Sequence, residues 1–448
     1  MKILLISANM TRDPFPVYPL GMATISAALK EHGHTVEVYD PMAIGETSPY
    51  AGLETLLHTF QPGLIGLAIR NVDSINRLSD DTNMLAPAME LSAICKRLMP
   101  ETPLLLGGGG FTLAAEPLMQ LCHADYGIIG PGEHVLPALI RDLEQGKVVP
   151  GGLLYGNAPE STPRSADYPE SLLRFYNGET HMIPVQTKRG CPFQCVYCSY
   201  PALEGRMMRF RSPEETAEEI RMIGRKCPGV MVFITDSIFN DPQGEYEKLL
   251  DHLDGSVPFA AFLTPYRLTE RLIRKLAEKG MISAELGVDG ACDRTLQGLG
   301  KNFTFRSAAE AAELLQNVGI SVTANFLFGG PGETLETVEE GIANIQSLSR
   351  KNMTSVIFSG VRILPHTPLY DLAEHYGMIP DNWVPSDELY YLEPGLDAAV
   401  LDQKLMDAFA ADSHCIYPPH SRRDALAKIH KFGFAKMKKL FPAGVAQS

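Results

Sequence analysis

No apolar run in this sequence approaches the roughly 20 residues that a bilayer-spanning helix needs, so no transmembrane segment is expected. The opening MKILLISANM is too short for a secretory apolar core followed by a cleavage site, and it reads as a buried first strand. The expected location is the cytoplasm. Positive charge is also scarce: 39 Lys and Arg stand against 53 Asp and Glu, a formal net charge of −14. That balance excludes a nucleic-acid backbone as the main partner, because such binders need a basic surface. A disulfide framework is missing too. Of the eight cysteines, Cys95, Cys122, Cys227, Cys292 and Cys415 are scattered singly and read as small core residues. There is no internal repeat beyond alternating strands and helices, and no low-complexity tract. What remains is a globular composition, 45% hydrophobic and 21% charged, on 448 residues, too long for one ordinary core.

Residues 1–145 alternate short apolar strands with helical patterns. The strands are Lys2–Ser7, Thr35–Tyr39, Leu64–Ile69, Pro103–Leu106 and Tyr126–Ile129, and a helix is expected over Leu20–Glu31. The pattern predicts a doubly wound parallel sheet, which binds ligands beyond the carboxyl ends of its strands. Over 146–180, Gly151, Gly152, Pro159, Pro163 and Pro169 break the periodicity and suggest a linker. A second α/β series fills 181–375, with strands at Ile183–Thr187, Val230–Thr235, Phe259–Leu263, Ser283–Val288, Ser321–Phe328 and Ser355–Leu364. Six such units predict a partial (β/α)6 barrel with functional residues at the strand C-termini. The remaining 376–448 reads as mostly helical. Its basic amphipathic pattern over Arg422–Phe441 is taken as the solvated face of a packing helix.

Chemistry concentrates where the second series begins. Cys191, Cys195 and Cys198 have the spacing C-x3-C-x2-C directly after the first barrel strand. Three thiolates on one loop can hold three irons of a [4Fe–4S] cluster and leave the fourth open to a chelating ligand. A structural zinc site would need a fourth protein ligand, and no Cys or His stands nearby at zinc spacing.

This spacing resembles the signature of the radical SAM superfamily, in which the open iron chelates S-adenosylmethionine and cleaves it reductively. Further segments resemble the family in order. Tyr197 matches an aromatic position that lies against adenine. Asp236 and Asn240, in Phe233–Asn240, resemble the segment contacting the methionine amino group. Glu285 and Asp289 resemble the stretch touching the SAM ribose and carboxylate, although relatives often carry Glu where Asp289 stands. Asn325, Gly329 and Gly330 resemble the glycine-rich fifth-strand motif near adenine.

The first 145 residues resemble the cobalamin-binding domain that precedes many radical SAM barrels. The matching residues include Leu20 in Tyr18–Gly21, the run Gly107, Gly108, Gly109 and Gly110, and Gly132 and Glu133 in Gly130–Glu133. A glycine run lets a nucleotide tail approach the backbone closely. The histidine motif D-x-H-x-x-G is absent after the first strand, where Asn9, Arg12 and Asp13 stand instead. His34 precedes a strand away from the expected face and reads as a turn residue. In relatives without that histidine, the loop after the third strand lies beneath the cobalt; here it is Arg70, Asn71 and Val72.

The resemblance implies a cobalamin-dependent radical SAM methyltransferase acting on an unactivated carbon of a small molecule or natural product, with an external electron donor such as flavodoxin or ferredoxin. Cyclisation, C–C coupling or rearrangement with cobalamin absent or auxiliary is the alternative. A tRNA methylthiotransferase would need a second cysteine triad before the barrel and a basic RNA-binding module. Only Cys95 and Cys122 precede Cys191. A sensor with a vestigial barrel is disfavoured by the intact triad.

Overall fold

In the computed structural model, residues 1–12, 15–44, 50–78, 84–156, 164–349, 353–384 and 387–419 are described. The basic pattern over Arg422–Phe441 lies outside them. Six strands form the N-terminal sheet: β1 (Lys2–Ser7), β2 (Thr35–Tyr39), β3 (Leu64–Ala68), β4 (Leu104–Gly107), β5 (Tyr126–Ile129) and β6 (Gly152–Tyr155), in the order β2-β1-β3-β4-β5-β6. Every pairing is parallel. β1 shows why its apolar run is continuous rather than alternating. Ile3 and Leu5 enter one core, Leu4 and Ile6 the other, and helices cover both faces.

β6 lies in the stretch read as linker, which also holds a helix over Glu170–Thr180. Four residues flanked by glycines give too short an apolar signal to read as a strand. Tyr126–Ile129 nevertheless supplies a parallel edge on which they pair.

The second sheet comprises β7 (Met182–Val185), β8 (Met231–Ile234), β9 (Phe259–Leu263), β10 (Met281–Asp289), β11 (Ser321–Phe328), β12 (Thr354–Ser359) and β13 (Cys415–Ile416). Neighbours follow chain order and pair in parallel throughout. This is the partial barrel the pattern predicts, extended at one edge by β13. Gly360, at φ +81°, ends β12 short of the expected Leu364, and Val361–Arg362 pairs instead with Tyr390–Tyr391. Beyond residue 376 the described chain holds the helix Ala398–Phe409 besides these short strands. No helix among the described residues is long and apolar enough to cross a membrane.

One apolar core runs through both halves. Ile3, Leu5 and Leu105 of the first sheet belong to the same cluster as Ile183, Val185 and Val232 of the barrel, with Leu172, Leu173 and Tyr176 of the 170–180 helix between them. Tyr176 donates a buried hydrogen bond of 2.6 Å to Asp40, at the end of β2. The loop after β3 is tied to the barrel as well. Arg362 donates to Asp73 at 2.7 Å, Arg77 pairs with Asp402, and the Tyr390 hydroxyl donates to the Ser74 carbonyl at 2.9 Å.

Candidate active site between the two sheets

Strand geometry places the site. Residues alternate faces along a strand. On β7 to β12 the outward residues Val185, Ile234, Ala284 and Ala324 enter the shared core. The alternate residues Pro184, Phe233, Phe262, Glu285, Asn325 and Phe358 line the interior. That interior opens into a cavity of about 890 Å³, whose other wall is the carboxyl end of the N-terminal sheet. The size is near the upper end for small-molecule sites.

Of the residues expected at the cobalamin face, Leu20, Arg70, Gly107, Gly108, Gly109, Gly132 and Glu133 all line this cavity. Asn71 and Val72 do not. After Arg70 the chain turns inward, and the Val72 side chain is buried in the core beneath β3. Arg70 opens onto the cavity and has no ion pair among the described residues; its enclosure lowers its pKa. No histidine lines the cavity among the described residues. His34 is elsewhere, beside the N-terminal amino group and Glu144. Two buried polar atoms on cavity residues lack a partner among the described residues: Asn9 Nδ2 and one carboxylate oxygen of Glu133. The other Glu133 oxygen accepts from Arg189, two residues before Cys191, so the two sheets meet at this pair.

The cysteine loop follows β7. All three thiols are free, Cys191 buried and Cys195 and Cys198 half-buried. Burial pushes the Cys198 thiol up to about 12 and raises Cys191, so metal binding would release protons. No three His, Cys, Asp or Glu side chains among the described residues converge on a single-ion site. A four-iron cluster holds its thiolates farther apart than one ion does.

Asp236 and Asn240, expected at the methionine amino group, do not line the cavity, and protein neighbours meet both side chains. Asp236 is fully buried and accepts from the Thr187 backbone at 2.7 Å, the Thr187 hydroxyl and the Lys188 backbone at 3.1 Å. Lys188, itself 1% exposed, stands 3.7 Å away and 3.0 Å from Asp241. Burial raises the Asp236 pKa, and Lys188 with these hydrogen bonds opposes the rise. Asn240 exchanges two hydrogen bonds of 2.9 Å with the Thr264 backbone beyond β9. Both side chains hold the cysteine loop and its neighbour in place. Asp236→Ala would leave three buried donors, the Thr187 N–H and hydroxyl and the Lys188 N–H, without their acceptor and take one of two carboxylates from the buried Lys188, at an expected cost of about 3 kcal/mol. Denaturant unfolding of the apoprotein and iron uptake measure this; unchanged values for both would remove Asp236 as the anchor of the loop.

Asp289 does face the cysteine loop. It ends β10 at φ +64°, past a break in register after Leu286. The Tyr197 hydroxyl donates to it at 2.7 Å, and Lys301 pairs with it. Lys301 also stands 5.6 Å from the Tyr197 ring. Burial works against the Lys301 charge, but Asp289 outweighs it and the pKa ends above the usual lysine value. Lys301 escaped the sequence reading because a single lysine in a turn carries no pattern. The adjacent Gly300, at φ +73°, packs so closely that a Cβ would stand 2.5 Å from the Gln194 carbonyl oxygen. Asn325 lines the cavity. Gly329 and Gly330 form a turn closed by Glu333, whose carboxylate accepts from the Gly329 N–H and which burial pushes up to about 7.

Two family models match this architecture in order: the B12 binding domain over residues 6–140 and the radical SAM superfamily over 185–345. The chain belongs to the radical SAM enzymes that carry a B12-binding domain ahead of the barrel. This radical SAM enzyme is 24% identical over 375 residues to an uncharacterized methyltransferase of Pyrococcus horikoshii, covering 79% of this chain and 78% of that one. It is 23% identical over 451 residues to tryptophan 2-C-methyltransferase of Streptomyces laurentii, covering 82% of this chain and 73% of the relative. Its fold matches that of the radical SAM methyltransferase TsrM from Kitasatospora setae, solved with cobalamin and a [4Fe–4S] cluster, at a TM-score of 0.79 and 20% identity over 98% of this chain and 99% of that one.

Proposed function

We propose that this radical SAM enzyme is a cobalamin-dependent methyltransferase that modifies an unactivated carbon of a small molecule. The observation that carries the reading is the cavity walled jointly by the B12-domain strand ends and the barrel interior. The residues fit the cofactors. The cysteine loop offers three thiols and no closing ligand. The B12-domain wall offers the partnerless Asn9 and Glu133 atoms, and Gly21 and Gly107 leave open space where a Cβ would stand. When bound, the cluster supplies the electron that cleaves S-adenosylmethionine, and cobalamin carries the methyl group.

The protein's own part is to hold and orient. Arg70 presents a cation rather than a histidine ligand to the cobalamin face, which suits a metal that must exchange its ligand. The Gly107–Gly109 backbone makes room for the nucleotide tail. Tyr197, Asp289 and Lys301 form a hydrogen-bonded chain beside the cysteines, suited to orienting S-adenosylmethionine together with Asn325, Gly329 and Gly330. Flavodoxin or ferredoxin would supply the electron. The relatives' names favour methyl transfer, and the tryptophan of one relative's name favours a small substrate.

Anaerobic reconstitution with iron, sulfide and hydroxocobalamin, followed by desalting and a cobalt assay, tests the reading. Near-stoichiometric cobalt is expected to remain. No retained cobalt alongside intact S-adenosylmethionine cleavage would reject cobalamin-dependent methyl transfer.

A further inference from the structure

The barrel half of the cavity carries a carboxyl that the protein itself does not use. Glu285 lies on β10, in register with Phe262 of β9 and Thr323 of β11, and all three line the cavity. Phe233 and Phe262 meet edge to face, with ring centroids 5.2 Å apart, and Phe358 adds a third aromatic surface. Two other carboxylates line the same cavity, and both have hydrogen-bond partners among the described residues. Glu133 is paired with Arg189, while Glu204 accepts from Gln186 at 2.8 Å and from the Gly190 N–H at 3.1 Å. Glu285 has neither a hydrogen bond nor an ion pair among the described residues, and burial is the sole cause that pushes its pKa up to about 7.

A carboxyl withdrawn from water without a partner destabilises the fold. Polar groups placed sparsely in an apolar chamber are what orient a ligand. We infer that Glu285 is the substrate anchor, accepting from a protonated amine or a ring N–H on a molecule whose flat apolar body rests against Phe233, Phe262 and Phe358. The inference rests on the proposed function, which makes this cavity the substrate chamber. It assigns Glu285 to the substrate rather than to S-adenosylmethionine.

The test is ligand-detected NMR on the reconstituted protein with two probes of similar size, phenethylamine and hydrocinnamate. Wild type is expected to bind the amine at least about tenfold more tightly than the carboxylate. Glu285→Gln should weaken amine binding about tenfold, and Glu285→Leu should erase the preference. Equal binding of both probes by wild type, or an undiminished preference in the variants, would overturn the assignment. S-adenosylmethionine binding is measured on the same proteins by equilibrium dialysis. A loss there that parallels the loss of amine binding would also overturn it, by making the carboxyl a contact of that cofactor. The wild-type comparison stands even if a variant misfolds. Cobalt content of the same preparation reports on the proposed function separately: amine preference without cobalt keeps the anchor and removes the cobalamin reading.

Discussion

Cys195→Ala is expected to lose the brown absorbance of the reconstituted enzyme and to reduce S-adenosylmethionine cleavage to the level of a protein-free control. The effect is all-or-none because the loop offers three thiols and, among the described residues, no fourth cysteine to replace one. Two thiolates leave a second iron without a protein ligand. The fold should survive. Cys195 is half-buried, and the loop around it is held by other groups: Val196 donates to the Leu299 carbonyl at 3.1 Å, Leu369 donates to that of Val196 at 2.9 Å, and Asp236 anchors the loop's start. The apoprotein's unfolding free energy is therefore expected to change by less than about 1 kcal/mol. Iron content, the visible spectrum and denaturant unfolding together separate loss of the cluster from loss of the fold. Cleavage persisting in this variant would sink the assignment of the loop.

Gly108→Ala and Gly107→Ala should differ sharply although the residues are neighbours. Gly108 has φ +104° and ψ 172°, a conformation that side chains rarely adopt, and a Cβ there would run into the Ile69 carbonyl oxygen. That oxygen cannot yield easily, because it accepts from Gly110 at 3.0 Å, and this contact joins the loops after β3 and β4. Strain and clash together are expected to cost about 3 kcal/mol in Gly108→Ala and to displace Arg70, the next residue. Cobalamin retention should be lost with it. At Gly107 a Cβ would meet nothing within 4 Å. Gly107→Ala should unfold at the wild-type denaturant concentration yet retain less cobalt, because the methyl group projects into the cavity. Equal stability of the two variants would show that the backbone at 108 can relax, and would remove the steric argument.

Much of the architecture was legible because the signals are local. β1, β2, β9 and β11 have the bounds that their apolar runs suggest. Covered parallel strands need continuous apolar residues, and glycine or proline marks where they stop. β6 and β13 were not legible. They are four and two residues long, and each is a strand only because a neighbouring edge pairs with it. The cysteine loop lies at the other extreme, with three thiols within eight residues.

The polar residues divide differently. That Asp236, Glu285 and Asp289 sit on or just past barrel strands follows from the sequence. What each carboxylate faces does not. Asp236 is consumed by Thr187 and Lys188, which lie 49 and 48 residues earlier in the chain, where the cysteine loop begins. Asp289 is met by Tyr197 and Lys301 from two separate turns. Glu285, four residues before Asp289, lines the cavity and meets no partner among the described residues. A hydrogen bond forms over about 3 Å, and which donor arrives there depends on the packing of distant segments. The sequence by itself therefore determined the two α/β units, the three-cysteine loop and the glycine-lined sheet end, all set by spacing within short segments. Only the tertiary structure decided which acids brace the loop and which one has no partner among the described residues, because that depends on which chain segments fold back onto each strand end.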